Sequence, residues 1–177
     1  MDWAKAKTIL IIALLIICLL LGGILIARTI MERENDKLAA QNAVEYLTNQ
    51  GASLICDMPS ARPSLPVLFV HFKNGQLNRT NILSEYKGIK VVTNIPQGYL
   101  PELSSAGKAK AKIITASSAV LKAAFQTDSL KGLEINKIEL VYYVNPEGFN
   151  PGLEDTAIPC WAVGTNKGVF YINAYDL

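Results

Sequence analysis

Residues that could perform covalent chemistry are few and widely spaced along the chain. Ser105-Ala106-Gly107-Lys108 matches the Ser-x-x-Lys motif of penicillin-recognising enzymes, in which the lysine activates the serine as a nucleophile. The Lys-Thr-Gly and Ser-Asp-Asn motifs that accompany it in those enzymes do not occur in the sequence. Because isolated four-residue matches arise often by chance, we predict no catalytic residues and no enzymatic activity.

Metal-binding patterns are equally weak. His71 is the single histidine, which excludes a histidine-rich metal site and favours a structural role on a strand. Glu154 and Asp155 are adjacent acids in a turn-rich segment and lack the further spaced oxygens of a calcium loop, so a solvated loop is the expected setting. The sequence therefore predicts neither a metal nor another cofactor.

The hydrophobic content of the chain is concentrated in one segment. Hydrophobic residues make up 50% of the 177 residues and charged residues 18%. Thr8 to Ala27 holds no charge, and at about 1.5 Å per helical residue it spans roughly the 30 Å of a bilayer core. A cleaved signal peptide is the alternative, but the apolar run is longer than a signal core, and Leu25 stands where a small residue is needed before cleavage.

These features predict four regions and a membrane topology. They are a tail at 1–7, a transmembrane helix at 8–27, a juxtamembrane helix at 28–51 and an α+β domain at 52–177. Basic residues flank both ends of the span, but acids interleave with those that follow it, so we expect a cytoplasmic N-terminus and an exterior domain. From residue 28 onward fifteen Lys or Arg face fourteen Asp or Glu, which argues against nucleic-acid binding.

The transmembrane segment carries small residues at helical spacing. Cys18 and Gly22 are four residues apart, as are Gly23 and Ala27, and each pair makes a small-x-x-x-small step that allows a second helix to approach closely. We predict that these four residues form a helix-packing face. The alternative is that the small residues are only tolerated in lipid and have no role in helix packing.

Cys56 and Cys160 are the two thiols outside the span. An even number of exterior thiols allows one disulfide. Two cysteines carry no spacing information, however, and small buried thiols are common. Both interpretations stay open.

The remaining pattern predicts an antiparallel sheet packed on a helix. Amphipathic spacing indicates a helix over 110–126, and the expected strands are 53–57, 66–72, 88–95 and 133–145, with a terminal hairpin at 159–163 and 169–175. Segments 96–107 and 145–159 are rich in proline, glycine and other turn residues, so we expect loops there. The fold class is α+β.

Both ends of the chain resemble one known family. The sequence opens Met1-Asp2-Trp3, followed by Lys5, Lys7 and the apolar span. It closes with the strands Pro159-Cys160-Trp161-Ala162-Val163 and Phe170-Tyr171-Ile172-Asn173-Ala174-Tyr175 around a glycine-containing turn. Both patterns are similar to the YycI family, also called WalI, and the match covers the ends better than the middle.

The resemblance implies a fold and a function. YycI-family proteins are single-pass proteins of the Gram-positive cytoplasmic membrane with an exterior domain like the PepSY group. They associate, usually with a YycH protein, with the sensor kinase WalK and adjust cell-wall signalling. We therefore expect a WalK-like kinase, a YycH-like protein and membrane lipid as partners. The alternative is a PepSY-like exterior module that binds a ligand or inhibits a peptidase and is unrelated to a kinase.

Overall fold

The computed structural model describes residues 3–74, 83–94, 98–108, 112–145 and 153–175. Two helices and eight strands occur in these ranges. They are α1 (Trp3–Asn49), β1 (Ser53–Leu54), β2 (Leu68–Asn74), β3 (Glu85–Tyr86), β4 (Ile89–Thr93), β5 (Tyr99–Ala106), α2 (Ala116–Phe125), β6 (Glu134–Val144), β7 (Glu154–Thr165) and β8 (Gly168–Asn173). The α+β class is confirmed.

Helix α1 is continuous through the predicted transmembrane and juxtamembrane regions. Its sequence is rich in Leu, Ile and Ala and contains no proline, so nothing in the backbone interrupts it. It ends just before Gly51, whose φ of 83° is in the left-handed region that glycine adopts without strain. The chain divides into two compact units, Met1–Ala39 and Ala40–Leu177, so the last turns of α1 belong to the second unit.

The sheet is mixed, and the prediction of an antiparallel sheet is wrong. Its strand order is β3-β4-β6-β7-β2-β5, with β1 added to β6 and β8 added to β7. Strands β1 and β4 both run parallel to β6, whereas β7 is antiparallel to β6, β2 and β8. A parallel neighbour needs a crossover connection, and the chain between β4 and β6 contains β5 and α2.

Two predicted loops contain strands. Within the segment expected to be a loop from Pro96 to Gly107, Tyr99–Ala106 forms β5, which pairs with β2. Pro101 is accommodated because β5 is at the end of the strand order. A register shift leaves Ser104 as an extra residue opposite the Phe69–Val70 step, which is a β-bulge. Strand β7 begins at Glu154, inside the segment expected to be turns.

Helix α2 covers one face of the sheet and begins later than predicted. Thr115 caps its N-terminus, because the Ser118 amide donates to the Thr115 hydroxyl at 3.1 Å. Its alanines are buried and permit close packing on β7 and β8. The largest apolar cluster forms around α2 and includes Leu47 of α1, Ile113, Val120 and Trp161.

The sheet curls around a second apolar cluster. Val70 and Phe72 of β2 and Tyr142 of β6 are buried there. Beside this cluster the Leu83 amide donates to the carbonyl of Pro101 on β5 at 2.8 Å, immediately before the chain enters β3. This bond joins the segment before β3 to β5, so the two ends of the strand order come close together and the sheet is curled.

Candidate functional site

The Ser-x-x-Lys motif does not adopt the arrangement of a serine–lysine nucleophile. Ser105 lies near the end of β5 and is exposed, and Lys108 follows the strand. Successive side chains of a strand alternate between its two faces, whereas a helix brings residues three apart onto one face. The motif therefore sits on the wrong element for lysine activation of the serine.

His71 and the acidic pair meet on neighbouring strands. The register places His71 of β2 opposite Glu154 of β7 and opposite Glu102 of β5. The distance from His71 Nε2 to Glu154 Oε1 is 3.8 Å, and both side chains are nearly half exposed. Asp155 Oδ1 accepts the Thr156 amide. Glu154 and Asp155 thus open a strand and do not form the solvated loop that was expected.

The possible disulfide between Cys56 and Cys160 is not formed, and both thiols are free. Cys160 belongs to a cluster with Val141 and Ala162, whereas Cys56 packs against the cluster under α2. Neighbouring residues of β7 alternate between these clusters, so the two thiols lie on opposite faces of the sheet. Burial raises the pKa of the Cys160 thiol to about 12, and it also raises the pKa of Cys56. Raised thiol pKa values disfavour the reactive thiolate.

Three aromatic side chains hold irregular segments against the sheet. Trp161 Nε1 donates to the carbonyl of Ile114 at 3.0 Å, and the Tyr142 hydroxyl donates to the carbonyl of Pro66 at 3.1 Å. The Tyr175 hydroxyl donates to the carbonyl of Leu65. Burial raises the pKa of Tyr142 and Tyr175. These contacts order the proline-rich segment before β2 and the approach to α2, which is a structural role.

The face of the sheet opposite α2 carries an aromatic pair. The rings of Tyr143 and Tyr171 stack with centroids 4.1 Å apart and planes within 8° of parallel. Both side chains are partly exposed and cover the cluster that contains Cys160. The strand patterns of the sequence did not single out this surface, because the pair forms only through the register of β6, β7 and β8.

The N-terminal part of α1 is the most apolar surface of the chain. Among the described residues α1 is the one helix long and apolar enough to cross a membrane, and its most apolar window has a mean hydropathy of 3.4 with none of it buried. A core helix of a soluble protein would be mostly buried. Near the start of α1, the Lys7 ammonium lies 5.2 Å from the centre of the Trp3 ring. Tryptophan and lysine are common at membrane interfaces.

The four small residues of the span do not share one face. Successive residues of a helix are about 100° apart, so the Cys18–Gly22 step and the Gly23–Ala27 step are centred about 140° from each other. The four residues therefore give α1 two narrow candidate faces, and packing of another helix on either face stays a prediction. A Cβ atom at Gly22 or Gly23 would meet no atom of the chain within 4 Å. Packing within the described chain does not require glycine at either position.

Comparisons with known protein families, with curated proteins and with solved structures find no match to this chain. Its candidate functional surfaces are thus defined by its own geometry. They are the apolar exterior of α1, with a small-residue step on each of two sides, and the stacked tyrosines of the sheet. Among the described residues no group of three or more His, Cys, Asp or Glu side chains is placed to hold a metal ion.

Proposed function

We propose that this protein is a single-pass membrane protein that regulates a WalK-like sensor histidine kinase by contact. In this arrangement α1 crosses the cytoplasmic membrane of a Gram-positive bacterium, with the N-terminus inside and the sheet domain outside. The observation that carries the proposal is the exposed apolar exterior of α1, in which Gly22 and Gly23 leave open space on two sides. The resemblance of both chain ends to the YycI family supplies the identity of the partner.

Helix packing in a bilayer gives this contact a physical basis. Lipid tails are as apolar as leucine side chains, so small residues that permit close van der Waals packing favour helix association. A kinase with two arrangements of its membrane helices shifts between them only as far as a bound partner prefers one. About 1.4 kcal/mol of differential binding changes the ratio of the two arrangements tenfold.

The exterior domain provides a second contact in this proposal. The stacked rings of Tyr143 and Tyr171 offer a partly exposed aromatic surface, and aromatic residues are enriched at protein interfaces. We assign this surface to a YycH-like partner. The contact would hold the regulator in a complex with the kinase while α1 packs in the membrane.

Substitution of each glycine tests the helix contact. Gly22→Leu fills the side that carries Cys18, and Gly23→Leu fills the side that carries Ala27, so each variant is the matched control of the other. We expect one of them to lower co-purification of the kinase from mild detergent at least tenfold and to change kinase output in cells. If the kinase never co-purifies with the unchanged protein, the proposed function is wrong; if neither variant has an effect, the helix mechanism is wrong.

A further inference from the structure

Strand β8 is an edge of the sheet that lacks the usual protection. Among the described residues it pairs with β7 alone, and its six residues, Gly168 to Asn173, include no charge and no proline. Natural sheets protect an exposed edge with charge, proline, a bulge or a very short strand. Strand β5 has Pro101 and a bulge, and β3 is two residues long and contains Glu85. Strand β8 has none of these devices.

The hydrogen bonds of the terminal hairpin determine which backbone groups of β8 face outward. Just beyond the hairpin the Ala174 amide donates to the carbonyl of Pro159 at 2.9 Å. Hydrogen-bonded and non-hydrogen-bonded pairs alternate along an antiparallel ladder, so Phe170 and Ile172 direct their amide and carbonyl groups toward β7. The residues between them direct these groups away from β7, and they are Val169, Tyr171 and Asn173.

The side chains of β8 leave this outer backbone accessible. Val169 is 55% exposed, and Asn173 is exposed as well. Ile172 packs in the cluster under α2. The ring of Tyr171 stacks on Tyr143 of β6, so it lies over the sheet and not across the edge. A second strand therefore has free access to the outward amide and carbonyl groups.

The outward groups of β8 are complementary to those of an identical strand. In an antiparallel pair centred on Tyr171, each copy places Val169 opposite Asn173 of the other copy, and about six main-chain hydrogen bonds form. A two-fold axis relates the two copies, so the same surface serves both. Because β8 has no charge, like charges do not face each other across the pair. The edge thus fits a second copy of this chain.

We propose that two copies of the chain pair through β8 and join their sheets into one continuous sheet. The two-fold axis is then perpendicular to the sheet, so the Tyr143–Tyr171 stacks of both copies lie on the same face. If α1 crosses a membrane as proposed, both copies share that membrane, which favours their encounter. The pairing goes beyond the proposed function, since it does not depend on a kinase.

Charge substitutions that depend on the register test this pairing. Val169→Glu/Asn173→Asp places like charges opposite each other across the two copies, whereas Val169→Lys/Asn173→Asp places opposite charges there. Both variants keep an oxygen at position 173 for the Tyr175 amide, which Asn173 Oδ1 accepts at 3.0 Å. Within one chain the two positions are about 13 Å apart, beyond the screening length of about 8 Å. A difference between the variants therefore reports contact with a second copy.

Light scattering of the full-length protein in mild detergent measures the dimer. We expect the unchanged protein to dimerise and Val169→Glu/Asn173→Asp to raise the dissociation constant of the dimer at least tenfold. Val169→Lys/Asn173→Asp should dimerise at least tenfold more tightly than the acidic variant. Circular dichroism and urea titration should show the same fold for both variants, because Val169 and Asn173 are exposed.

Photocrosslinking in membranes locates the contact. Full-length protein carries p-benzoylphenylalanine at Val169, or at Leu103 as the control, since Leu103 is 37% exposed and lies on the protected edge strand β5. We expect the adduct of twice the chain mass to be at least fivefold more abundant from position 169. That adduct should map to the β8 strand of the second copy.

Three results would overturn the pairing. They are a monomeric unchanged protein, a dimer that both double variants leave equally stable, and adducts from Val169 to a different protein without the double-mass product. The second result would move the dimer contact away from β8, and the third would make the edge a site for another partner. Co-purification of the kinase tests the proposed function separately, so failure of the pairing leaves that function intact.

Discussion

The two compact units of the chain treat apolar side chains in opposite ways. In the first unit, Met1–Ala39, the large apolar side chains of α1 are exposed, with Leu19 at 74% and Ile26 at 64%. In the second unit, Ala40–Leu177, side chains of the same types fill clusters in which Val120, Val163 and Leu68 have no accessible surface. The same chemistry therefore serves two purposes, since the first unit needs an apolar environment from outside and the second unit builds its own.

The largest effect is expected from changing the exposed apolar side chains of the first unit. Leu14 and Ile17 lie near the middle of the apolar window, and each arginine placed there costs about 2.5 to 3.5 kcal/mol of insertion free energy. We expect Leu14→Arg/Ile17→Arg to move most of the protein from carbonate-washed membranes to the soluble or aggregated fraction. Leu14→Val/Ile17→Val is the control and should stay in the membrane. Equal retention of both variants would contradict a membrane role for α1.

A smaller effect is expected from a substitution in the packed core of the second unit. Trp161 is 1% exposed and donates a hydrogen bond to Ile114, so Trp161→Ala removes a large buried side chain and leaves a carbonyl without its donor. We expect a loss of about 3 to 5 kcal/mol in the free energy of unfolding, measured by urea titration of the full chain in mild detergent, with membrane retention unchanged. Phe125, 66% exposed, supplies the control, since Phe125→Ala should change stability by less than about 1 kcal/mol. Similar losses for both variants would mean that Trp161 is not part of a packed core.

The smallest effect is expected in the pH dependence of stability, to which the buried thiol of the second unit contributes. The pKa of Cys160 is raised from 9.0 to about 12 by burial, so the unfolded chain loses this thiol proton at lower pH than the folded chain does. The buried Cys160 thiol contributes fully to the free energy of unfolding below pH 9, and this contribution is lost as the pH rises toward 12. Relative to Cys160→Ala, the protein should lose about 1.4 kcal/mol between pH 7 and pH 10. Parallel pH profiles for the two proteins in urea titrations would show that the thiol is solvated.

The elements that could be predicted are those that local sequence determines. The uncharged run of α1, the hairpin of β7 and β8, and β6 follow from residue types within a short window, and the structure contains all of them. Strand β5 was missed because Pro101 and its neighbouring glycines are turn residues in most settings, and only the position at the end of the strand order makes proline acceptable. The start of α2 was misplaced because the Thr115 cap outweighs helix-favouring residues before it.

The arrangement of the candidate surfaces depends on longer-range geometry. The parallel pairing of β1 and β4 with β6 requires knowledge of how the chain crosses over, which no short window contains. The Tyr143–Tyr171 stack and the separation of Cys56 from Cys160 follow from the same pairing.

The bulge at Ser104 has a consequence for how neighbouring molecules behave on a crowded surface. If α1 crosses a membrane as proposed, copies of the chain share one membrane surface and lie close to one another. A straight edge strand would then act as a template for pairing between copies. Strand β5 interrupts such a template with the bulge and with Pro101, which lacks an amide proton and whose carbonyl already accepts the Leu83 amide. Strand β5 therefore disfavours pairing with the sheet of a neighbouring copy.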